Sequence, residues 1–537
     1  MGLFKRNSNV IDLLVAGSGS GALTAAIAAH DAGLRVAIYE KASVVGGGTA
    51  YSGGVVWAPC NHMMRAKGIQ DSVDDALLYL RQASGDRGDE TLQRTYVENV
   101  GQVIEQVQSW TGIKWIIWPG QPDYYSDLPG ACPNGRAILQ HPNSAHQVLA
   151  PAEEAMPDMK LVRLTPHMDF VPGFQNAERP ARESWLAGRA VIGGLWKAVL
   201  ERRIPFRVSA RVSALRTEKS QVVGAEIEHA DGSREEVVTR IGVLLNTGGY
   251  DWNDELARRH LPGPHLVPQT PPSNTGDGHL MAMQLGAATA LMDKAVFHPA
   301  IHIPGELQDG RPLYRMFNAE LSKPHSILVN RTGRRFTSEA AYFAVCEAWN
   351  AIDHRLRSWR NLPCYLVMDA RYRAKYGLPG VGAEDPIPDW IHQAATLESL
   401  AARLGVDAAG LAAEVATYNG DCEQGVDTRF GRGQSLYESY WGDPNQQPNP
   451  TMGPLSQAPY YAFEVYASHA GARGGVLTTP SAEVLRADGS IIPGLYACGN
   501  TAANLLFGAG YGSGSAVGSS MVFGYLAAMK MARARTS

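Results

Sequence analysis

The sequence predicts an α/β fold in which an open, mainly parallel sheet flanked by helices is interrupted by an inserted α+β unit. Three observations predict it. Between Val10 and Glu40 an apolar run, a glycine turn, an Ala-rich helical stretch, a second apolar run and an acid follow one another. Alternating runs at 206–212, 222–228 and 234–245 read as an antiparallel strand group beside that sheet. A strand at 494–498 and a long helical pattern ending near Ala532 return the chain to the first unit.

Taken in order, Val10–Ala16 is the first strand, and Gly17-Ser18-Gly19-Ser20-Gly21-Ala22 is the turn into a helix from Leu23 to Asp31. Glycines there let main chain approach a pyrophosphate at the helix N-terminus. After the second strand, Arg35–Tyr39, comes Glu40, placed to accept hydrogen bonds from a ribose. The order predicts a dinucleotide site. Its next stretch, Lys41 to Gly54, holds Gly47, Gly48, Thr49, Ala50, Ser52 and Gly53, more amide and hydroxyl donors than a nicotinamide nucleotide requires. That selects FAD, with Gly17, Gly19, Ser20, Gly21, Ala22, Glu40, Lys41, Gly47, Gly48, Thr49, Ala50, Ser52, Gly53 and Gly54 as its binding set.

Ser72 caps a predicted helix to Gly88, and a second helix spans Glu90 to Gly112. The tryptophans Trp115 and Trp118 read as core, whereas Tyr124 and Tyr125 follow a Pro/Gly turn and fall on a loop, where functional groups concentrate. Gly188–Leu200 is again helical. The five prolines between Pro262 and Pro272 mark a change of organisation, and helical pattern resumes at 278–288. The predicted units are 1–285 (first part of the nucleotide domain), 286–451 (catalytic, substrate-capping insertion) and 452–537 (return segment).

A chain of 537 residues exceeds one ordinary core. Its 45% hydrophobic and 19% charged content describes a globular protein, and a net charge of -4 without a basic stripe argues against nucleic acid as a partner. The six cysteines show no ligand spacing, so neither a disulfide framework nor a metal centre is expected. His298 and His302 stand four apart, a metal spacing only on a helix, which Pro299 and Pro304 oppose. The N-terminal MGLFKRNSNV leaves no room for a signal segment and no run is of transmembrane length, so a cytoplasmic enzyme is expected.

The pair GSGSGALTAA and GGGTAYSGG resembles the flavoprotein group that includes fumarate reductase, succinate dehydrogenase and the 3-ketosteroid dehydrogenases. The resemblance recurs at Asn246-Thr247-Gly248-Gly249, Asn274-Thr275-Gly276-Asp277-Gly278, Gly333-Arg334-Arg335-Phe336 and Pro493 to Asn500. It implies a Rossmann-type, glutathione-reductase-like, discontinuous FAD domain. It also implies further FAD contacts at Thr247, Gly248, Asp277, Gly499 and Asn500, and at Ser515, Ala516 and Val517 where the last helix begins. Nothing resembles a histidyl flavin attachment, so FAD is expected to be non-covalent.

In fumarate reductases a dicarboxylate is held by arginines and histidine. Here the corresponding stretch, Asn504 to Ser515, contains no cation. A phenol, a hydroxyl and closely spaced amides suit a neutral ketone instead. The loop resembles that of 3-ketosteroid dehydrogenases. Its Tyr-x-Ser-Gly form is nearer to the Δ4-(5α) enzymes than to the Δ1 enzymes, whose register would put the tyrosine on Gly510. The resemblance assigns Tyr511 and the Gly514 amide to the ketone oxygen, Tyr342 to removal of the α proton as the β hydrogen leaves as hydride to flavin N5, and Ser513 to a relay. Tyr124 or Tyr125, with Tyr125 preferred, is the supporting tyrosine. His469 is expected as a donor beside flavin or substrate. The expected activity is desaturation α,β to a ketone, on a steroid or, with Trp110, Trp115 and Trp118 narrowing the pocket, a cyclohexanone. A fumarate-reductase-like ene-reductase using Arg315, or an electron-transfer subunit, are the rivals. No second dinucleotide fingerprint follows, so electrons are expected to leave to a quinone, a carrier protein or oxygen.

Overall fold

The structure, a computed structural model, describes residues 10–141, 187–264, 266–308, 310–381 and 385–536. Residues 1–9, where no signal segment is expected, lie outside the described residues. Val10–Ala16 is the central strand of the first sheet, parallel to Val36–Tyr39 on one side (Leu13 opposite Val36) and to Arg234–Leu245 on the other (Val15 opposite Leu244). Ile491–Ala497 extends the parallel order beyond Arg234–Leu245. Residues Ile11 to Ala16 are all buried, as a strand covered on both faces requires.

The helix Ser20–Asp31 is buried from Ser20 to Ala29 because it packs against the C-terminal helix, Ser515–Thr536. The approach needs glycine: a Cβ at Gly524 would collide with the Gly21 carbonyl, and one at Gly21 with Ser520. Ser72 caps the helix Val73–Ser84, its Oγ accepting from the Asp75 amide at 3.0 Å. Glu90–Thr111 ends where Gly112 turns left-handed at φ 71°.

The strand group differs from expectation at its start. Phe206–Arg207 pairs in parallel with Val36–Tyr39, and the antiparallel ribbon is Ala210–Glu218, Gln221–His229 and Arg234–Leu245. Ser209, at φ 52°, makes the break between the two.

A second sheet runs in the order Arg311–Met316, Ala295–Gln308, Tyr460–Ala472, Cys364–Met368, Ser326–Asn330. Tyr460–Ala472 is its central strand, hydrogen-bonded on both sides. The expected return to the first unit near Met452 is therefore too early: the Pro/Asn/Gln stretch 443–450 is a crossing within the second unit, and the chain leaves its sheet only after Ala472. His298 and His302 lie on the strand Ala295–Gln308. Among the described residues no helix is long and apolar enough to cross a membrane.

Candidate active site

An elongated cavity opens at the carboxyl ends of the parallel strands, where Ala16, Tyr39 and Asn246 line it, and runs on to the second sheet at Val296 and His298. At the first end the backbone turns back at Gly17, φ 104°, where a Cβ would strike the Asn246 carbonyl. Glu40 is buried. Its Oε2 accepts from Ser18 Oγ at 2.6 Å and its Oε1 from the Ala42 amide at 2.7 Å. Burial raises its pKa against those two hydrogen bonds, a third from the Ser18 amide and the Lys41 charge. Lys41, Arg211 and Asp277 form a charged cluster at the same end: Asp277 pairs with Arg211 at 2.8 Å and with Lys41 at 3.2 Å, and burial that would raise its pKa is outweighed by those cations.

Of the predicted FAD contacts, Gly17, Gly19, Glu40, Lys41, Gly47, Gly48, Thr49, Ser52, Gly53, Gly54, Thr247, Gly248, Asp277, Gly499, Asn500, Ala516 and Val517 line the cavity. Five do not. The amides of Ser20, Gly21 and Ala22 donate to Thr49 Oγ1, Ser520 Oγ and Asn246 Oδ1, at 3.2, 3.1 and 3.2 Å, so the protein itself satisfies the first turn of that helix. Ala50 and Ser515 are buried on the packed sides of their helices. The remaining donor set fits FAD. Gly19, Gly47 and Gly48 keep the wall free of side chains, and a Cβ on Gly48 would meet nothing within 4 Å. Arg211, Gln269 and Thr270, which also line the cavity, carry no signal in the sequence that singles them out, whereas Ser18 and Asn274, also in the wall, lie within the glycine turn and the Asn274–Gly278 motif.

At the far end Tyr511, Ser513 and Gly514 line the cavity together with Tyr124. Tyr511 is held by a clamped loop: Leu505 and Leu506 carbonyls accept from the Asp89 amide and Gln93 Nε2, at 3.1 and 2.8 Å, and the Ala509 amide donates to Ser84 at 3.3 Å. Gly514 is left-handed at φ 79° where a Cβ would strike the Val55 carbonyl, and it begins the 22-residue C-terminal helix, whose dipole adds positive potential here.

The supporting tyrosine is a correction. Tyr124 lines the cavity, while Tyr125 turns away, its Oη accepting the Tyr511 amide at 3.3 Å and its ring packing 5.0 Å from Phe343. Tyr342 does not line the cavity either: it is buried behind Tyr124, ring centroids 5.8 Å apart, and stacks on His298 at 4.6 Å. Tyr437 completes the cluster, 4.8 Å from Tyr124. Burial raises all these phenols. For Tyr124 hydrogen bonding with Tyr342, Ser513 and Tyr437 opposes the rise, whereas for Tyr342 the neighbouring phenols add to it.

His469 lies away from the cavity, Nδ1 3.5 Å from Asp251 Oδ1 in the interior. Of the tryptophans, Trp118 lines the cavity and meets Trp441 edge to face at 6.0 Å, whereas Trp110 packs on Tyr525 and Trp115 sits in a small sheet. Arg315 is paired with Glu306, at 2.6 Å, and is not in the wall. Among the described residues the cations of the wall, Lys41 and Arg211, stand at the Glu40 end, and the charged side chain at the tyrosine end is Glu320. A cation does approach Tyr511 from behind, Arg473, which the stretch 504–515 could not reveal because it comes from the end of the central strand of the second sheet.

Comparison with known proteins agrees with this geometry. An FAD binding domain family matches residues 12–517. The chain is 35% identical to 4-oxocyclohexanecarboxylate 2-dehydrogenase of Sinomonas cyclohexanicum, over 97% of this chain and 92% of the relative. It is 33% identical to a 3-oxosteroid 1-dehydrogenase of Mycobacterium tuberculosis (strain ATCC 25618 / H37Rv), over 97% and 98%. The 3-ketosteroid Δ1-dehydrogenase of Sterolibacterium denitrificans, solved with 1,4-androstadiene-3,17-dione, superposes with a TM-score of 0.88 at 32% identity, covering 98% of this chain and all of that one. The whole-chain likeness is thus to Δ1 enzymes, although the loop spacing favoured the Δ4-(5α) form. The chain belongs to the FAD-binding flavoprotein family that contains the 3-oxosteroid 1-dehydrogenases.

Proposed function

We propose that this protein is an FAD-dependent dehydrogenase that introduces a double bond α,β to the carbonyl of an uncharged cyclic ketone. The observation that carries the reading is one wall: Tyr511, Ser513, Gly514 and Tyr124 line the same end of a cavity whose other end has the donors for FAD. The relatives' names supply the regiochemistry, Δ1 for a steroid or the matching position of a cyclohexanone.

The substrate oxygen accepts from Tyr511 and from the Gly514 amide, which polarises the carbonyl and acidifies the α carbon-hydrogen bond. The α proton passes to the Tyr124 oxygen as that phenol gives up its own proton along its hydrogen bonds to Tyr342, buried behind it, or to Ser513, beside it in the wall, and the relaying hydroxyl in turn releases its proton to solvent, so that every hydroxyl ends neutral. Tyr342 is then a relay rather than the group that touches substrate, and Tyr125 positions the Tyr511 backbone. Bound FAD, held without a covalent link by the Glu40 end and the glycine loops, supplies the two-electron acceptor for the β hydrogen. Trp118 and Trp441 flatten the far end around a ring. The two sheets support a discontinuous Rossmann-type domain, with residues 286–472 as the insertion.

A dicarboxylate ene-reductase finds no cation in the wall at the tyrosine end among the described residues. The eventual electron acceptor is a quinone, a carrier protein or oxygen. Anaerobic mixing of the yellow protein with 4-androstene-3,17-dione and, separately, cyclohexanone tests the reading. Bleaching by at least one ketone and none by succinate is expected; colour unchanged by either ketone overturns it.

A further inference from the structure

Arg473 follows the strand Tyr460–Ala472 and is 1% exposed. Its guanidinium carbon stands 5.7 Å from the Tyr511 ring centroid, on the side away from the cavity wall. Nη1 donates to the Gly510 carbonyl and Nη2 to the Asn504 carbonyl at 3.3 Å, so the cation grips both ends of the loop that carries Tyr511. Nε finds no acceptor among the described residues.

The other fully buried arginines have carboxylates. Arg136 pairs with Asp71 at 2.7 Å and Asp123 at 2.8 Å, and Arg432 with Glu339 at 3.3 Å. Arg473 has none among the described residues: the titratable groups acting on it are the phenols of Tyr511 and Tyr125, which burial keeps neutral at neutral pH. Burial lowers its pKa to about 10, opposed by those phenols, so it stays charged at neutral pH. A buried charge without a counter-ion is costly, and a site that retains one has a use for the field.

We propose that Arg473 is a positioning residue that fixes Tyr511 and lends it positive potential, so that negative charge developing on the substrate oxygen is stabilised through the phenol. The inference rests on the reading of Tyr511 as donor to that oxygen. As the α carbon-hydrogen bond breaks, its electron pair moves toward the carbonyl oxygen and the Tyr511 hydrogen bond tightens. The guanidinium then faces a more electron-rich ring, and no proton moves to or from Arg473. Tyr124, Tyr125 and Tyr342 are the other titratable groups against Tyr511; Tyr124 opposes phenolate formation there and Arg473 favours it.

The test compares the FAD-loaded parent with R473K, which keeps the charge, and with R473Q and R473M, which remove it; R473Q retains a donor for the loop. The first readout is a ligand, not turnover: 4-nitrophenol, an enolate-like ring oxygen whose ionisation is read from its own absorbance. Bound to the neutral variants its apparent pKa should rise by about one unit or more, a tenfold change, and in R473K it should stay within threefold of the parent. The second is the flavin reduction rate with the reactive ketone, expected to fall about 100-fold in R473Q or R473M and to be largely restored in R473K. Parental ionisation and rate in the neutral variants overturn the inference, and so does an R473K as impaired as R473Q. If no ketone reduces the parent but the nitrophenol shift appears, the proposed reaction fails while the charge assignment stands.

Discussion

The rings of Tyr124 and Tyr511 meet edge to face in the cavity wall, centroids 5.8 Å apart at 66°. One phenol therefore holds its edge against another that is fixed by the clamped loop, and both residues line the same cavity. Removing the Tyr511 hydroxyl leaves the ring packing and the FAD end untouched. Tyr511→Phe is expected to keep the yellow colour and to slow flavin reduction by the ketone about 100-fold to 1000-fold, the cost of one missing donor to a developing oxyanion. Stopped-flow absorbance checks it, and reduction at the parental rate removes Tyr511 from the mechanism.

Tyr124 and Tyr125 are neighbours in sequence with different surroundings, and the pair gives a ranking. Tyr124→Phe removes a cavity-facing hydroxyl that links Tyr342, Ser513 and Tyr437. Tyr125→Phe removes only the acceptor of the Tyr511 amide. The first is expected to lower the reduction rate by a factor of about 100 and the second by less than about ten, within the usual contribution of a positioned acid or base. The reverse order would return the supporting role to Tyr125.

The nucleotide end was legible in the sequence because strand, turn, helix and acid are contiguous and each has a local pattern. What was not legible depends on partners from elsewhere. Ser20, Gly21 and Ala22 look like phosphate donors until Thr49, Ser520 and Asn246 are seen to occupy their amides. Tyr124 against Tyr125 is decided by which side of a loop each faces, and a loop has no periodicity to read. Arg473 lies 38 residues before Tyr511 in the chain, by 511 − 473, and only the second sheet brings it there. The early boundary at Met452 came from composition, which marks a loop but not the sheet that follows it.

Arg335, within the Gly333–Phe336 block that resembles the family, anchors a buried ion network with Glu339, Asp427 and Arg432. Arg335 bonds Glu339 at 2.7 Å and Asp427 at 2.8 Å, and Arg432 bonds Glu339 at 3.3 Å, all buried. For both carboxyls burial raises the pKa but the arginines more than offset it, so both end below their ordinary values of 4.5 and 3.8. Groups depressed in this way contribute stability that is fully present above the unfolded-state values and is lost as pH falls through the folded ones. Thermal melts are therefore expected to lose stability below about pH 4.5, the ordinary glutamate range. Glu339→Ala, which takes the carboxylate from the buried Arg432 and leaves Arg335 with Asp427 alone, is expected to cost about 3–5 kcal/mol. A melt unchanged by the substitution would show the network to be dispensable.

Glu320 gives the wall a titration of its own. It lines the cavity, and burial pushes its carboxyl up to about 7. Its own amide and Lys323 oppose the shift, but the Lys323 ammonium is committed to the Trp441 and Gly442 carbonyls at 2.9 Å each, and Tyr372 meets Glu320 through its backbone carbonyl. Below pH 7 the group is a neutral acid and above it an anion inside a cavity that also holds the substrate. A ketone that carries a carboxylate should bind progressively worse as pH rises through 7, because the two like charges share a poorly solvated space. Cyclohexanone should show no such loss. With 4-oxocyclohexanecarboxylate the KM is expected to rise about tenfold between pH 6 and pH 8 in the parent, the size of roughly one pKa unit of differential interaction, and to be flat in Glu320→Gln. Equal pH profiles for the charged and uncharged ketone in the parent would mean that Glu320 does not face the bound ring.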